Sequence, residues 1–383
     1  MRLFFHSSLA LLLAACGTSP SNTAATSAGS AGGQQPQANQ APPFRLVEVT
    51  RFEEAWAMDF LPGSGLPLTN AALVTGKGGE LWLVDVATGR KQQVSGVPTV
   101  RYAGQGGLGD VVAHPDFAGN QRVYLSFAEA GPGNTAGAAV GYGRLIIGDK
   151  QPRIDGFKVI WRQQPKVTGA AYFGHRIAFA RDGTMFVSSS DRQKMDPAQD
   201  RDSDLGKIIH MTAEGERLGG RFHTMGHRNI LGLAFAPDGR LWASEMGPRG
   251  GDEINLIVEG RNYGWPQASY GSHYDGRPIP DEHRSRGFEE PKLWWNPSVS
   301  PAGMIVYSGN LFPEWRGDIL VGALSGQALI RIDVDGDNAT KADQWDMAAR
   351  IREVQQGPNG SIYILEDGRD PGEGRLLRLI PNR

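Results

Sequence analysis

The residues best suited to chemistry are concentrated in residues 226–266. This segment contains a Gly247-Pro248 turn followed by the adjacent carboxylates Asp252 and Glu253. Hard cations such as Ca²⁺ take about six to eight oxygen ligands from carboxylates and backbone carbonyls, and a Gly-Pro turn exposes its carbonyls. The segment can therefore form a calcium site. A solvated acidic turn would use the same residues, so residue types alone leave both interpretations open.

Arginines form a second group of candidate binding residues, consisting of Arg228, Arg350 and Arg352. The last two are separated by one residue, so they lie on the same side of a strand. Two guanidinium groups facing one way suit a planar polycarboxylate, because each pairs bidentately with a carboxylate. Salt bridges on a strand surface would use the same spacing. The sequence has no Gly-x-Ser-x-Gly, phosphate-binding loop, His-Glu-x-x-His or dinucleotide fingerprint, which argues against serine hydrolases, nucleotide enzymes and zinc proteases.

The composition favours many short strands over helices. The 383 residues include 52 glycines, roughly double the usual ~7%, and glycine supplies the positive-φ turns that connect short strands. Lys and Arg number 39 and Asp and Glu 41, giving a net charge of -2. This balance gives no indication of nucleic-acid binding, which usually requires a basic excess. The length allows two domains or one large unit.

A weak internal repeat indicates the fold. A turn of Gly, Asp or Asn is followed after one or two positions by an aromatic or aliphatic strand, and the six copies end at Trp82, Tyr124, Phe186, Trp242, Leu320 and Tyr363. Several copies follow another apolar strand, as in a β-hairpin. Six units of about 57 residues each accommodate four short strands apiece. We therefore predict an all-β fold, a six-bladed β-propeller with four-stranded antiparallel blades, and a long insertion between Trp265 and Trp315.

The N-terminal residues are predicted to lie outside the folded domain. Residues 1–16 combine a charged start, an apolar run and the sequence Leu13-Ala14-Ala15-Cys16, which is typical of a lipoprotein signal peptide with a lipobox. Residues 17–43 carry no charge and predict a flexible tether rich in Ser, Gly, Ala and Gln. The propeller is assigned to residues 44–383. We expect lipidation at Cys16, the single cysteine, and anchoring in the cell envelope, at the outer membrane facing the periplasm.

Several segments resemble the soluble aldose sugar dehydrogenases that use pyrroloquinoline quinone (PQQ), the glucose/sorbosone dehydrogenase family. The resemblance covers about residues 44–381, nearly all of the predicted propeller. Its family fold is a six-bladed propeller, in agreement with the repeat. The segments that carry the resemblance are Gly104-Gln105-Gly106-Gly107-Leu108, His114-Pro115-Asp116-Phe117, Gly226-His227-Arg228-Asn229 and the run from Gly247 to Pro266.

The resemblance implies that the protein oxidises aldose sugars to lactones with PQQ and Ca²⁺, and passes electrons to an envelope acceptor. In that family a histidine takes the proton of the anomeric hydroxyl, hydride passes to the quinone, and calcium and an arginine stabilise the developing oxyanion. The protein would be a monomer or a homodimer. One calcium position matches the carbonyls of Gly247 and Pro248, and another matches Glu253 and the Tyr263 carbonyl. The family's PQQ contacts match Gln105, Arg228, Asn229, Tyr274, Arg350 and Arg352, and further contacts match Ser298 and Ser325.

The chain departs from the family at the catalytic base. The family histidine lies four residues before a strand arginine, and here that position is Tyr172, in Tyr172-Phe173-Gly174-His175-Arg176. Tyrosine titrates near ~10 and makes a poor base at neutral pH unless a cation lowers its pKa. His175 would face away from Tyr172 in a regular strand and could act only if a bulge re-aims it. The same residues are compatible with a non-catalytic propeller that binds a glycan or envelope partner, and with a lactonase that uses Ca²⁺ as a Lewis acid.

Overall fold

The computed structural model describes residues 41–63, 70–148, 150–368 and 374–382. The proposed signal peptide, the lipidation site Cys16 and nearly all of the tether therefore lie outside the described residues. Within the described ranges, no helix is long and apolar enough to cross a membrane.

Strands dominate the described chain, and the helices are single turns. The first strand is β1 (Phe44–Phe52). The following strands, in chain order, are β2 (Ala55–Phe60), β3 (Ala71–Gly76), β4 (Leu81–Asp85), β5 (Arg90–Gln93), β6 (Leu108–Ala113), β7 (Arg122–Ala130), β8 (Thr135–Ile146), β9 (Arg153–Arg162), β10 (Val167–Thr168), β11 (Gly174–Phe179), β12 (Met185–Ser189), β13 (Lys207–Met211), β14 (Thr224–Met225), β15 (Ile230–Phe235), β16 (Leu241–Glu245), β17 (Asp252–Ile257), β18 (Leu293–Trp295), β19 (Pro301–Val306), β20 (Ile319–Ala323), β21 (Ala328–Asp335), β22 (Asn338–Asp346), β23 (Ile351–Gln356), β24 (Ile362–Glu366) and β25 (Gly374–Pro381). One short helix, α1, covers Phe117–Asn120, and 3₁₀ turns cover Asp196–Ala198, Arg284–Arg286 and Pro313–Trp315.

These strands form six antiparallel sheets, the blades of a β-propeller. Blades 1 to 5 begin with β2, β6, β11, β15 and β19, and blade 6 contains β23, β24, β25 and β1. The first strands of the blades contact one another in a closed ring, with β23 returning to β2. The N-terminal strand β1 pairs with β25 along its whole length, so the two ends of the domain close the ring. The predicted six-bladed propeller is confirmed.

Two details differ from the prediction. Blade 2 has five strands, because β8 is 12 residues long and pairs with β9 over one part and with β10 over another. The long insertion is confined to residues 258–292, inside blade 4. The interval from Trp265 to Trp315 also contains β18, the last strand of blade 4, and β19, the first strand of blade 5.

The repeated motif marks a hairpin in every blade. Five of its six copies lead into the second strand of a blade, and the copy at Trp82 leads into the third strand of blade 1. The turn glycines adopt the left-handed conformation, for example Gly183 at φ +83° and Gly239 at φ +95°. Residues with a Cβ are strained there, which explains why glycine recurs at the turns.

The hydrophobic core lies between neighbouring blades. Leu73 of blade 1 and Leu125 of blade 2 belong to one buried cluster, and Trp242 of blade 4 and Ile330 of blade 5 belong to another. Because both faces of each sheet are covered, second strands such as β3 and β20 are buried at every residue. These strands are therefore apolar runs without alternation.

The inner strands share one irregularity. In each of the six, the pairing register shifts at a bulge near the start of the strand, as between Gly174 and Ile177 of β11 and between Ile351 and Glu353 of β23. A bulge re-aims the side chains beside it. At the bulges, Arg176 of blade 3 forms buried ion pairs with Asp110 of blade 2 and Glu353 of blade 6. Buried ion pairs thus connect blades 2, 3 and 6 at the centre of the ring.

Candidate active site

A cavity of about 1100 Å³ opens where the inner strands begin. The structure brings most of the predicted site residues together around it: Gln105, Tyr172, His175, Arg228, Asn229, Gly247, Pro248, Tyr274, Ser298, Ser325, Arg350 and Arg352. They come from widely separated parts of the chain. The predicted ligands Glu253 and Tyr263 are buried and do not line this cavity.

Backbone strain is concentrated at the cavity. In the described part of the chain, ten residues other than glycine have positive φ, and four of them line the cavity: Glu54, Tyr172, His175 and Ser300. Each such conformation costs on the order of 1–3 kcal/mol and is found preferentially at functional sites. Tyr172 precedes β11 and His175 lies in the bulge of β11, so the two side chains do not alternate as they would in a regular strand. The bulge that the sequence analysis required for His175 to be re-aimed is present, and both residues line the cavity.

Tyr172, Arg228 and Tyr274 form a hydrogen-bonded triad. Arg228 Nη2 donates to Tyr172 Oη at 2.7 Å and to Tyr274 Oη at 2.9 Å, and the two phenolic oxygens are 3.0 Å apart. The guanidinium also lies 4.5 Å from the centre of the Tyr172 ring. Burial raises the pKa of Tyr172, although the charge of Arg228 acts in the opposite direction. Tyr274 is 67% exposed, so the triad connects a buried hydroxyl to solvent.

His175 is packed into the floor of the cavity. Its ring stacks on Trp56 with centroids 5.1 Å apart, and Nδ1 lies 2.7 Å from the hydroxyl of Ser126. A Cβ on Gly109 would lie 1.8 Å from the ring, so only glycine leaves room for it. His175 is 2% exposed, and burial lowers its pKa to about 3. The imidazole is therefore neutral at physiological pH.

The arginine pair is held by a carboxylate that the sequence analysis did not identify. Asp367 accepts hydrogen bonds from Arg350 Nε at 2.7 Å and from Arg352 Nε at 2.8 Å. Burial opposes ionisation of Asp367, but the two arginines prevail and lower its pKa to about 2. Both arginines also line the cavity. The pair therefore forms salt bridges, as one interpretation of its spacing predicted, and also presents two cations to the cavity, as the other predicted.

The remaining predicted contacts are held by backbone N–H groups or by neighbouring side chains. Gln105 Oε1 accepts a hydrogen bond from the Tyr172 backbone at 3.0 Å, which fixes the strained residue. Asn229 Oδ1 accepts a hydrogen bond from Ser190 at 3.0 Å. Ser298 accepts a hydrogen bond from the Gly250 backbone at 3.0 Å, and Ser325 Oγ lies 2.7 Å from Ser300 Oγ.

A strained loop behind Tyr172 supplies a second positioning group that was not predicted. Arg192 is buried and has φ +56°. Its guanidinium donates to the carbonyls of Ala136, Gly169 and Ala171 at 2.5–2.8 Å and stacks on Phe173 at 3.7 Å. Burial lowers its pKa to about 10. Arg192 therefore fixes the segment that carries Tyr172.

The two predicted calcium positions differ in their surroundings. Gly247 lies on the cavity wall; its N–H donates to Asp252 at 2.8 Å and its carbonyl accepts from Arg228 Nη1 at 2.5 Å. Glu253 is buried beside Asn255, whose Oδ1 is buried without a hydrogen-bond partner. Burial raises the pKa of Glu253 well above its usual range. Across residues 41–63, 70–148, 150–368 and 374–382, no three His, Cys, Asp or Glu side chains are grouped as metal ligands.

Fold and site together define a six-bladed β-propeller with a cation-lined binding cavity at one end of its ring. Residues 52–378 match the family model Glucose / Sorbosone dehydrogenase, and the chain belongs to this family. It is 38% identical over 359 residues to the aldose sugar dehydrogenase YliI of Escherichia coli K12, covering 89% of this chain and 94% of the relative.

Solved structures agree with this assignment. The apo form of the soluble aldose sugar dehydrogenase from Escherichia coli has a TM-score of 0.82 and 36% identity, over 88% of this chain and all of that one. The PQQ-bound aldose sugar dehydrogenase from Streptomyces coelicolor has a TM-score of 0.72 and 28% identity, over 90% and 99% of the two chains.

Proposed function

We propose that the protein is a PQQ- and Ca²⁺-dependent dehydrogenase that oxidises aldose sugars at the anomeric carbon to lactones. The observation that carries this proposal is the convergence of the predicted cofactor-binding and catalytic residues on one cavity, although they come from blades 3 to 6 and from the loops between blades. Membership of the family supplies the reaction class.

The charges of the cavity fit PQQ, which carries three carboxylates. Five cationic side chains line the cavity, namely Lys77, Arg228, Arg249, Arg350 and Arg352, against two carboxylates, Glu54 and Asp367. This excess of three positive charges matches a tricarboxylate. Arg228 Nε is also buried without a partner. Arg350 and Arg352 would bind carboxylates, and Gln105 and Asn229 would orient the quinone.

The residues also fit calcium. At the cavity, the carbonyls of Gly247 and Pro248 are oxygen ligands of the type that Ca²⁺ prefers. Arg228 already donates a hydrogen bond to the Gly247 carbonyl, so Ca²⁺ at this position would need anionic ligands to offset the charge of the guanidinium. At the second position, Oδ1 of Asn255 is buried without a hydrogen-bond partner, and the buried carboxylate of Glu253 accepts a hydrogen bond from Asn255 Nδ2 at 3.1 Å. A cation there would satisfy Oδ1 and offset the charge of Glu253.

In the reaction, PQQ when bound supplies the quinone that accepts the hydride from C1 of the sugar. Tyr172 first gives its own proton through Tyr274 Oη to water, and the resulting phenolate takes the proton of the anomeric O–H as that bond breaks. Arg228 stabilises negative charge on Tyr172. His175 is poorly suited to this role, because its ring is buried under Trp56 and its pKa is about 3.

The test is PQQ binding to the full-length chain in detergent with Ca²⁺, followed by dye-linked turnover over a panel of aldoses. Binding with turnover supports the dehydrogenase. Binding without turnover would favour the non-catalytic propeller that recognises a glycan or envelope partner. Hydrolysis of lactones without added PQQ would favour the lactonase.

We propose further that the protein is a lipoprotein of the cell envelope, held through Cys16, and that its electron acceptor is there. The support is the Leu13-Ala14-Ala15-Cys16 sequence followed by an uncharged segment. Labelling of cells with a fatty-acid analogue should tag the wild-type chain and fail to tag Cys16→Ala. Equal labelling of both would refute the anchor.

A further inference from the structure

A second charged cluster, not used by the reaction above, lies on the cavity wall. Lys77 Nζ is 2.7 Å from Glu54 Oε1, and the other oxygen of Glu54 accepts a short hydrogen bond from Tyr102. Lys77 Nζ also lies 5.2 Å from the centre of the Tyr102 ring. Lys77 and Glu54 line the cavity, and Tyr102 is 56% exposed.

This cluster belongs to the same end of the cavity as the arginine pair. The backbone N–H of Glu54 donates to the carbonyl of Gly368 at 3.0 Å, next to Asp367. The backbone N–H of Lys77 donates to the carbonyl of Glu54 at 2.9 Å. The two segments that carry Lys77 and Asp367 are therefore both fastened to Glu54.

The donors at this end are only partly used. Asp367 pairs with both Arg350 and Arg352, so these three residues together contribute one excess positive charge. An ammonium group has three N–H donors. Among the described residues, Lys77 Nζ donates a hydrogen bond to Glu54, and its other N–H donors can turn towards the cavity. Glu54 itself is held by Tyr102 and by its strained backbone at φ +42°.

We propose that Lys77 is a cofactor-binding residue whose ammonium group pairs with a carboxylate of PQQ, while Glu54 and Tyr102 hold it in place. The inference rests on the proposed function, since it needs a polycarboxylate in the cavity. Glu54 should nevertheless lower the affinity for PQQ, because its carboxylate competes with the ligand for Lys77 and repels the negative charge of the ligand.

Two substitutions separate binding from a structural role. Lys77→Met and Glu54→Gln both remove the ion pair, but they should change PQQ affinity in opposite directions. We expect Lys77→Met to raise the Kd for PQQ tenfold or more, as loss of a charge-assisted hydrogen bond does. We expect Glu54→Gln to lower it about two- to fivefold. Binding is read from PQQ fluorescence in the calcium-loaded full-length chain, without substrate or turnover.

Lys166→Met is the matched control. Lys166 forms a comparable ion pair with Glu129 at 2.5 Å, similarly shielded from solvent, but it does not line the cavity. Its substitution should leave the Kd unchanged. The dependence of Kd on salt should also weaken in Lys77→Met and stay the same in Lys166→Met.

Equal weakening by Lys77→Met and Glu54→Gln would overturn the inference, because the pair would then act only as a structural link. Unchanged affinity in Lys77→Met would overturn it as well. A wild-type chain that binds no PQQ would refute the proposed function and the inference with it, whereas wild-type binding with an unaffected Lys77→Met variant would refute the inference alone.

Discussion

Replacing Tyr172 by histidine tests the assignment of the proton acceptor. Burial holds the pKa of Tyr172 above its ordinary value of 10.0, so at pH 7 fewer than about one molecule in 1000 carries the phenolate. Turnover that depends on deprotonation of the triad should therefore rise about tenfold per pH unit through the neutral range. A histidine with a pKa near ~6.5 is mostly neutral at pH 7, which increases the population of free base several hundredfold.

The gain in rate is smaller than the gain in population. Neutral histidine is a weaker base than phenolate, which offsets much of the increase, and we expect Tyr172→His to raise kcat at pH 7 by about tenfold. Its profile should level off above about pH 7, where the wild type continues to rise. Tyr172→Phe removes the proton acceptor, so its kcat should lack the rise with pH and should fall below the wild type by roughly 10²–10⁴ near pH 9.

The assay is dye-linked turnover at saturating sugar between pH 6 and 9, with Ca²⁺ and with PQQ above the Kd measured for each variant. Tyr274→Phe is the companion variant, since it keeps Tyr172 but removes the route from the triad to solvent. A wild-type kcat that does not change between pH 6 and 8, together with an active Tyr172→Phe variant, would refute the role of Tyr172.

Two further predictions concern the centre of the ring. Burial raises the pKa of Glu353 from 4.5 to about 7; Asp110 acts in the same direction and Arg176 in the opposite one. The folded state therefore holds this proton more tightly than the unfolded state. The resulting stabilisation is complete below pH 4.5 and is lost as the pH rises through 7. Relative to Glu353→Gln, the wild type should lose about 3 kcal/mol of unfolding free energy between pH 4 and 8 in urea titrations, and a constant difference would contradict this. Gly109→Ala should destabilise the fold by about 1–3 kcal/mol because its Cβ would lie 1.8 Å from His175. Thermal unfolding should show that His175→Ala restores part of this loss, and an equally damaged double variant would show that the clash lies elsewhere.

The repeat in the sequence was sufficient to predict the blades, because a blade needs only local hairpins with a glycine turn. The closure of the ring by β1 and β25 joins residues more than 300 positions apart and leaves no local pattern. The fifth strand of blade 2 arises because β8 is long enough for two partners, a property that depends on how far the neighbouring segments extend.

At the site, the residue types could be predicted from the sequence, but the directions in which their side chains point could not. A regular hairpin counted from its turn at Asn359-Gly360 would pair Ile351 with Asp367. The bulge in β23 shifts the register by one residue, so the backbone of Asp367 pairs with Arg350 instead. The same kind of shift in β11 brings His175 to the cavity. Bulges carry no strong sequence signature, so partners that depend on them, such as Asp367, were not found from the sequence.

Arg350 and Arg352, which are proposed to bind the cofactor, are held by different groups from Tyr172, the proposed proton acceptor. Arg350 and Arg352 are held by Asp367 within blade 6, whereas Tyr172 is fixed by Gln105 and by the Arg192 clamp around blades 2 and 3. Arg228 donates to Tyr172 on one side and to the Gly247 carbonyl on the other. A change at Tyr172 can therefore alter turnover while Arg350 and Arg352 stay in place, and this is why binding of PQQ and turnover must be measured separately.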